Sequence, residues 1–163
     1  MNADQITNAL LRDRYRRSFV LPRFTPRNWW ECDVFELTPA GYFREFEVKI
    51  SRGDFFADRK KERTVYPVPW GETPKTESKH QLLAGQDRGP VEFWYLVPEG
   101  LVKPEEVPAY AGLMIAHPST DASLVRFSVV TPAPRRHRQK CDPVVVQDAR
   151  GTCYWRMHNL LAS

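Results

Sequence analysis

The chain has 163 residues, 42% of them hydrophobic and 27% charged, and a formal net charge of +4 at pH 7. This length and composition predict one globular domain over residues 1–163, and the mild basic excess suits a polyanionic partner without requiring one. The three cysteines are too few for a disulfide framework, and the sequence has no signal peptide and no apolar run of about 18 residues, so we expect a cytoplasmic protein with no membrane segment.

The first elements are a helix and two strands. Residues 2–17 repeat apolar side chains at helical spacing and predict an amphipathic helix. The segment SFVLPRFTPRN contains two prolines and predicts an extended connection. Residues 31–37 and 43–50 alternate as strands on either side of the turn signal TPAG.

The remaining elements alternate between helices, loops and strands. Ser51 is placed to cap a helix over residues 52–63, and the three prolines and one glycine of residues 65–76 predict a long loop. Further on, the sequence predicts a short helix after Ser78, strands over 91–97, 113–116 and 124–130, a helical turn at 104–107, and a helix starting at Asp142 and Pro143 and ending at Leu161. This order predicts an α/β fold.

The two strands around TPAG carry charges on one face. A tight connection joins antiparallel neighbours, so we expect Leu37 to face Phe43, which places Asp33 opposite Glu47 with Cβ atoms about 5 Å apart. Like charges at that distance destabilise a sheet unless something neutralises them, and a divalent cation would do so. Lys49 points to the same side as Glu47.

These residue types fit phosphodiester hydrolysis. Carboxylate oxygens suit Mg²⁺ or Mn²⁺, and a lysine beside such an ion can orient or help deprotonate an attacking water. The alternative is a solvated sheet face with ion pairs. The acid-x-Lys pattern alone does not decide, because it occurs three times, at Glu47–Lys49, Asp58–Lys60 and Glu77–Lys79. Only the first match lies in a predicted strand that follows another acid-bearing strand.

The runs WWECDVFEL and GYFREFEVKISRGDFFADRKK resemble the PD-(D/E)XK nuclease superfamily. Within it, they are similar to small phage and bacterial restriction-endonuclease-like proteins, among them a mitomycin-response DNA repair family. FWYLVPEGL and VPAYAGLMIAH fit the same pattern, so the resemblance spans residues 2–117. It implies a restriction-endonuclease-like core, with a central mixed β-sheet flanked by helices, and a magnesium-dependent endonuclease acting on DNA in repair or in phage or host defence.

The resemblance also implies the roles of individual residues. Asp33 corresponds to the first acid of the motif, Glu47 to the second and Lys49 to its lysine, and the backbone carbonyl of Val48 joins the metal ligands. Glu31 is a candidate additional acid.

Other positions match the superfamily less directly. The acid that the superfamily supplies from its first helix is either Asp4 or Asp13 here, and His80 is a candidate accessory residue from a later helix. Cys32 stands where the motif has proline, and inactive members of the superfamily exist.

Basic side chains follow the predicted site directly. They are either candidate phosphate contacts or a solvated helix face, and they comprise Arg52, Arg59, Lys60, Lys61 and Arg63. Asp54 and Asp58, in the same segment, are expected to be capping and surface groups. The run RRHRQK at residues 135–140 is either a DNA-binding arm or a solvated loop.

Two other functions remain open from the sequence. One is a catalytically inactive nucleic-acid-binding module on the same fold, and the other is a protein-partner-binding domain with a merely charged hairpin. Many members of the superfamily act as pairs, so the resemblance makes a homodimer one expectation, although the sequence reveals no dimer surface.

Overall fold

The structure, a computed structural model, describes residues 1–65, 70–85, 88–119 and 125–162. The strands are β1 (Phe19–Phe24), β2 (Cys32–Leu37), β3 (Phe43–Val48), β4 (Glu62–Thr64), β5 (Thr76–Ser78), β6 (Glu92–Pro98), β7 (Ala111–Pro118) and β8 (Val125–Thr131). The helices are α1 (Ala3–Arg14), α2 (Arg52–Asp58), α3 (Lys79–Gly85) and α4 (Pro143–Leu161), with a 3₁₀ turn at Pro104–Glu106.

The central sheet is mixed and six-stranded, which confirms the α/β class. Its order is β1-β2-β3-β6-β7-β8, and β4 pairs with β5 in a separate ribbon. Strand β3 is antiparallel to β2 and parallel to β6, while β6 and β7 are parallel and β7 and β8 antiparallel. The sheet therefore combines an antiparallel β1–β3 meander with a parallel centre.

The β2–β3 hairpin has the register that the sequence predicts. Leu37 pairs with Phe43 and Phe35 pairs with Glu45. The turn places Gly41 at φ +83°, a backbone conformation that glycine adopts without a Cβ clash. This register places Asp33, at the start of β2, at the same end of the sheet as Glu47, at the end of β3.

Helices cover both faces of the sheet. On one face, Ile6 and Leu10 of α1 pack in a cluster with Phe46. On the other face, α2, α3 and α4 contribute buried side chains to a second cluster. Because strand side chains alternate between faces, Glu45 and Glu47 point away from α1 and into the layer beneath the other helices. The charged strand face is therefore covered, and the expectation of a solvated sheet face is wrong here.

Two segments differ from the sequence-based expectations. The proline-containing connection before residue 25 is strand β1, which tolerates Pro22 because it lies at the sheet edge. The helix predicted over 52–63 ends at Asp58, and Glu62–Thr64 pairs instead with Thr76–Ser78. Of the loop predicted over 65–76, residues 66–69 lie outside the described residues.

The last helix has the predicted boundaries. Asp142 caps it by accepting a hydrogen bond from the Val144 N–H at 2.8 Å, and it ends at Leu161. Its buried residues are Val145 and Ala149, in its first half. A search of the described residues finds no helix both long and apolar enough to cross a membrane.

Candidate active site

Three carboxylates and three lysines meet near the end of β3. Glu45 and Glu47 lie on β3, and Lys49 follows that strand directly. Asp58 is the last residue of α2, Lys61 lies just before β4, and Lys79 is the first residue of α3. All except Lys61 are buried. Buried charges are tolerated only when they are paired, and here each carboxylate has at least one lysine nitrogen within 4 Å. Burial nevertheless raises the pKa of Glu45 to about 7, although the charge of Lys79 opposes that shift.

Glu47 lies among three lysines. Lys61 Nζ is 3.1 Å from both of its carboxylate oxygens, Lys49 Nζ is 3.1 Å from Oε2, and Lys79 Nζ contacts Oε1. Burial alone would raise the pKa of Glu47, but the charges of the three lysines outweigh it and lower the pKa to about 2. Glu47 is therefore ionised at neutral pH.

Lys49 bridges two acids. Its Nζ lies 3.1 Å from Glu47 Oε2 and 3.0 Å from Asp58 Oδ1. Burial opposes its charge, but the two carboxylates outweigh burial and raise the pKa of Lys49 above its ordinary value. Lys49 is thus an ammonium group at neutral pH, suited to donating hydrogen bonds rather than to removing a proton.

Asp33 has the opposite electrostatic environment. Its Oδ2 accepts a hydrogen bond from the Val48 N–H at 2.8 Å. Burial and the neighbouring Glu47 charge together raise the pKa of Asp33 to about 6. Across the described part of the chain, no Lys, Arg or His nitrogen lies within 4 Å of its carboxylate. Asp33 therefore lacks a direct ion pair, and the more distant charges of Lys49 and Lys61 only partly offset the effects of burial and Glu47.

The predicted catalytic residues line one open cavity of about 330 Å³. Its charged lining comprises Asp4, Arg23, Asp33, Glu47, Lys49, Asp54 and Lys61, and Val48 also contributes. The structure thus brings together Asp33, Glu47, Val48 and Lys49, as the sequence predicts.

The candidate acids of the first helix are at its two ends. Asp4 lines the cavity and pairs with Arg23 at 2.8 Å, whereas Asp13 pairs with Arg17 at the far end of α1. Asp4 is therefore the first-helix acid that lies at the site. Glu31 is exposed and is not among the residues that line this cavity.

His80 lies behind the cavity and contacts the site through Asp58. Its Nε2 is 3.0 Å from Asp58 Oδ2 and its Nδ1 is 2.6 Å from Tyr110 Oη. Tyr95 Oη donates to the same Asp58 oxygen at 2.9 Å. These contacts hold Asp58 in place against Lys49.

Sequence reasoning missed three members of the cluster. Asp58, expected at the surface, is 2% exposed, and its position three residues after the buried Phe55 was the available signal. Lys79 belongs to an acid-x-Lys match at a loop–helix junction, and nothing local indicates its contact with Glu47. Glu45 is fully buried, with Lys79 Nζ 2.6 Å from Oε1 and Trp29 Nε1 2.7 Å from Oε2.

Most of the predicted phosphate-contacting residues are occupied by protein partners. Arg52 donates to the Glu106 carboxylate, and Arg59 to the Glu106 carbonyl. Lys61 contacts Glu47, and Arg63 pairs with Glu77 at 2.9 Å. Lys60 is exposed and has no carboxylate within 4 Å in the described ranges.

The run at 135–140 is anchored at Arg136. This side chain is 3% exposed and donates hydrogen bonds to the carbonyls of Leu82, Leu83, Arg88 and Pro90. At Arg136 neither expectation, a DNA-binding arm or a solvated loop, fits, because the guanidinium points into the protein. Arg135, Arg138 and Lys140 are exposed, and both expectations stay open for them.

The oxygen donors match the ligand preference of Mg²⁺ or Mn²⁺, with one condition. Asp33 offers a carboxylate without a direct ion pair beside Glu47 and Val48, and oxygen ligands are those these ions prefer. Both Glu47 oxygens, however, already contact lysine nitrogens. A search of the described residues finds no group of three or more His, Cys, Asp or Glu arranged to hold a metal. An ion at Glu47 must therefore displace an ammonium group, and Lys61, 34% exposed, is the most accessible.

Comparison with known proteins supports the fold alone. No protein-family model matches the sequence, and no curated protein is detectably similar to it. A solved structure from Silicibacter pomeroyi, described as a protein of unknown function, is similar with a TM-score of 0.65 and 24% sequence identity. The similarity covers 98% of this chain and 91% of that one.

Proposed function

We propose that the protein is a nuclease with a restriction-endonuclease-like core, which hydrolyses phosphodiester bonds with Mg²⁺ or Mn²⁺ and acts on DNA in repair or in phage or host defence. The observation that carries the proposal is the cavity shared by Asp33, Glu47 and Lys49. It combines a carboxylate without a direct ion pair, an ionised carboxylate and an ammonium donor. Perturbed titratable groups that converge on one cavity are typical of catalytic sites.

Each residue of the cavity has its own role in the proposed reaction. Asp33, Glu47 and the Val48 carbonyl would hold the ion, which would supply positive charge beside the scissile phosphate and lower the pKa of a water bound to it. Lys49 donates hydrogen bonds to the attacking water or a phosphate oxygen and so stabilises developing negative charge. Asp58 positions Lys49 through the 3.0 Å contact with its Nζ.

One observation favours a second candidate, a catalytically inactive nucleic-acid-binding module on the same fold. Both oxygens of Glu47 are occupied by lysines, so the site is electrostatically satisfied at Glu47 without a metal. In that case Asp33 alone would retain its unfavourable charge, and no cleavage would accompany nucleic-acid binding.

The test is incubation with single-stranded, duplex and branched DNA in Mg²⁺, Mn²⁺ or EDTA. The variant is Asp33→Asn, which keeps an acceptor for the Val48 N–H, and the matched control is Glu105→Gln, which removes the same charge at an exposed position that does not line the cavity. We expect cleavage with metal by the wild type and by Glu105→Gln, and a loss of at least about 100-fold in Asp33→Asn.

The other possible results separate the nuclease from the two alternative functions. Cleavage that is unchanged in Asp33→Asn would contradict the proposal. Binding of DNA by the wild type without cleavage of any substrate would favour the inactive module. Absence of both binding and cleavage would favour a protein-binding domain.

A further inference from the structure

The end of the sheet remote from the candidate active site carries a basic surface. Two adjoining cavities of about 510 and 540 Å³ flank the β2–β3 turn and share Arg17, Ser18, Thr38 and Pro39. We call their exposed cationic lining the hairpin-tip surface, and it comprises Arg16, Arg17, Arg135, Lys140 and Arg150.

Most of these cations are available to an external anion. In the described part of the chain, no carboxylate lies within 4 Å of Arg16, Arg135, Lys140 or Arg150, whereas Arg17 pairs with Asp13 at 3.0 Å. The Arg135 guanidinium stacks 4.4 Å from the Tyr42 ring centroid, which orients it at the surface. This contrasts with the α2 region, where most basic side chains already have protein partners.

The acids of this surface are engaged by other arginines. Glu36 is buried, with Arg14 and Arg44 guanidinium nitrogens each 3.8 Å from its oxygens. Glu92 Oε1 accepts a hydrogen bond from Arg44 Nη2 at 3.1 Å. The two half-buried arginines therefore offset these carboxylates, and the exposed cations retain their net positive charge.

The hairpin-tip surface and the candidate active site lie at opposite ends of α1. Asp4, in the first turn, lines the active-site cavity, and Arg14, the last residue, lines one of the two basic cavities. Ten residues of α-helix span about 15 Å. Duplex DNA rises about 3.4 Å along its axis per base pair, so this distance corresponds to about four or five base pairs. A polymer reaches both places at once, whereas a mononucleotide does not.

We propose that the hairpin-tip surface binds the phosphate backbone of duplex DNA. Lysine and arginine contacts to phosphates position a duplex without reading its sequence. A second step rests on the proposed nuclease function: this contact presents a phosphodiester about four or five base pairs away to the Asp33 cavity. The main DNA contacts are thus placed at the hairpin tip rather than on the predicted run from Arg52 to Arg63.

The test measures binding of a fluorescein-labelled duplex by anisotropy in EDTA, so that cleavage does not interfere. Two triple alanine variants remove the same charge from exposed positions. The test variant is Arg16→Ala, Lys140→Ala and Arg150→Ala, and the matched control is Lys75→Ala, Lys103→Ala and Arg126→Ala. We expect the test variant to lose at least about tenfold in affinity and to reduce the salt dependence of log K by about three, with the control within about twofold of wild type.

Equal weakening in both triple variants, or wild-type affinity in the test variant, would overturn the inference. So would a wild-type chain that binds anionic lipid vesicles but not the duplex. Failure of the nuclease proposal can be told apart from failure of the DNA-binding surface, because binding is measured in EDTA, where Asp33→Asn should bind the duplex as tightly as wild type. Binding that is weakened only in the test variant, without cleavage of DNA in metal, would therefore support the surface and count against the nuclease.

Discussion

Asp33 and Glu47 are neighbouring carboxylates with opposite pKa shifts. The pKa of Asp33 is raised to about 6 by burial and by Glu47, whereas that of Glu47, despite burial, is lowered to about 2 by three lysines. The difference arises because the ammonium groups contact Glu47 and leave Asp33 without an ion pair. An unfavourable charge held in an open cavity is the kind of local instability that proteins retain at functional sites.

Replacement of Asp33 by asparagine should stabilise the metal-free protein at neutral pH. The folded-state pKa of about 6 lies above the ordinary value of 3.8, so the folded state loses stability as pH rises from about 4 through 6. Asparagine keeps the acceptor for Val48 and removes the charge. We expect a gain in unfolding free energy of about 1–2 kcal/mol at pH 7.5, reduced from the full linkage value because Asp33 is half-buried, and little difference at pH 4. Urea unfolding in EDTA, carried out at pH 7.5 and at pH 4, measures the difference in unfolding free energy at each pH.

Glu47→Gln provides the contrast of opposite sign. Its folded-state pKa of about 2 lies below the ordinary 4.5, so its stabilisation is present above about pH 4.5 and is lost as pH falls towards 2. Removing the charge leaves three lysines facing only two carboxylates, Glu45 and Asp58, so one cation of the cluster loses its counter-charge, and at pH 7.5 we expect a loss of about 3–5 kcal/mol. For Asp33, an Asp33→Asn variant less stable than wild type at pH 7.5 would contradict the predicted gain, because it would show that the charge of Asp33 does not destabilise the folded protein.

Arg136 connects secondary-structure elements. Its guanidinium donates to Leu82 and Leu83 near the end of α3 and to Arg88 and Pro90 before β6, with distances from 2.6 to 3.1 Å. Arg136→Met leaves these carbonyls without that donor, and we expect it to lower the unfolding free energy by at least about 3 kcal/mol. Arg136→Lys should recover only part, because an ammonium lacks the planar fork of donors.

The matched control is Arg138→Met, an exposed position in the same segment, which should change stability by less than about 0.5 kcal/mol. Chemical denaturation of the three variants beside wild type gives the comparison. Equal stability of Arg136→Met and Arg138→Met would mean that the buried guanidinium does not hold these elements together.

Local patterns made the β2–β3 hairpin predictable. Side-chain alternation and the TPAG turn fix the register, including the pairing of Leu37 with Phe43. The end of α2 was not predictable, because Glu62–Thr64 finds its hydrogen-bond partners at Thr76–Ser78, beyond a proline-rich segment. The contact of Lys79 with Glu47 was likewise hidden, since it joins residues 32 apart in the sequence and forms only when α3 packs beneath the sheet.

Across the whole molecule, charge is distributed in two ways. Beneath the helices, three carboxylates pair with three lysines, and all of these groups except Lys61 are buried. On the exterior, four of the five cations of the hairpin-tip surface have no carboxylate within 4 Å in the described ranges, and this surface lies about 15 Å along α1 from the active-site cavity. The first arrangement orders the proposed catalytic residues, and the second supplies the long-range attraction for a polyanion.

Titration with Mn²⁺ is the most direct test of a cation held between Asp33 and Glu47. Calorimetry at pH 7.5 should show saturable binding of one ion to the wild-type chain, and Asp33→Asn, although at least as stable, should lose that binding. The same ion should raise the thermal midpoint of the wild type alone, because a ligand that binds only the folded state stabilises it. Absence of saturable binding to the wild type, or identical binding to Asp33→Asn, would contradict the metal site.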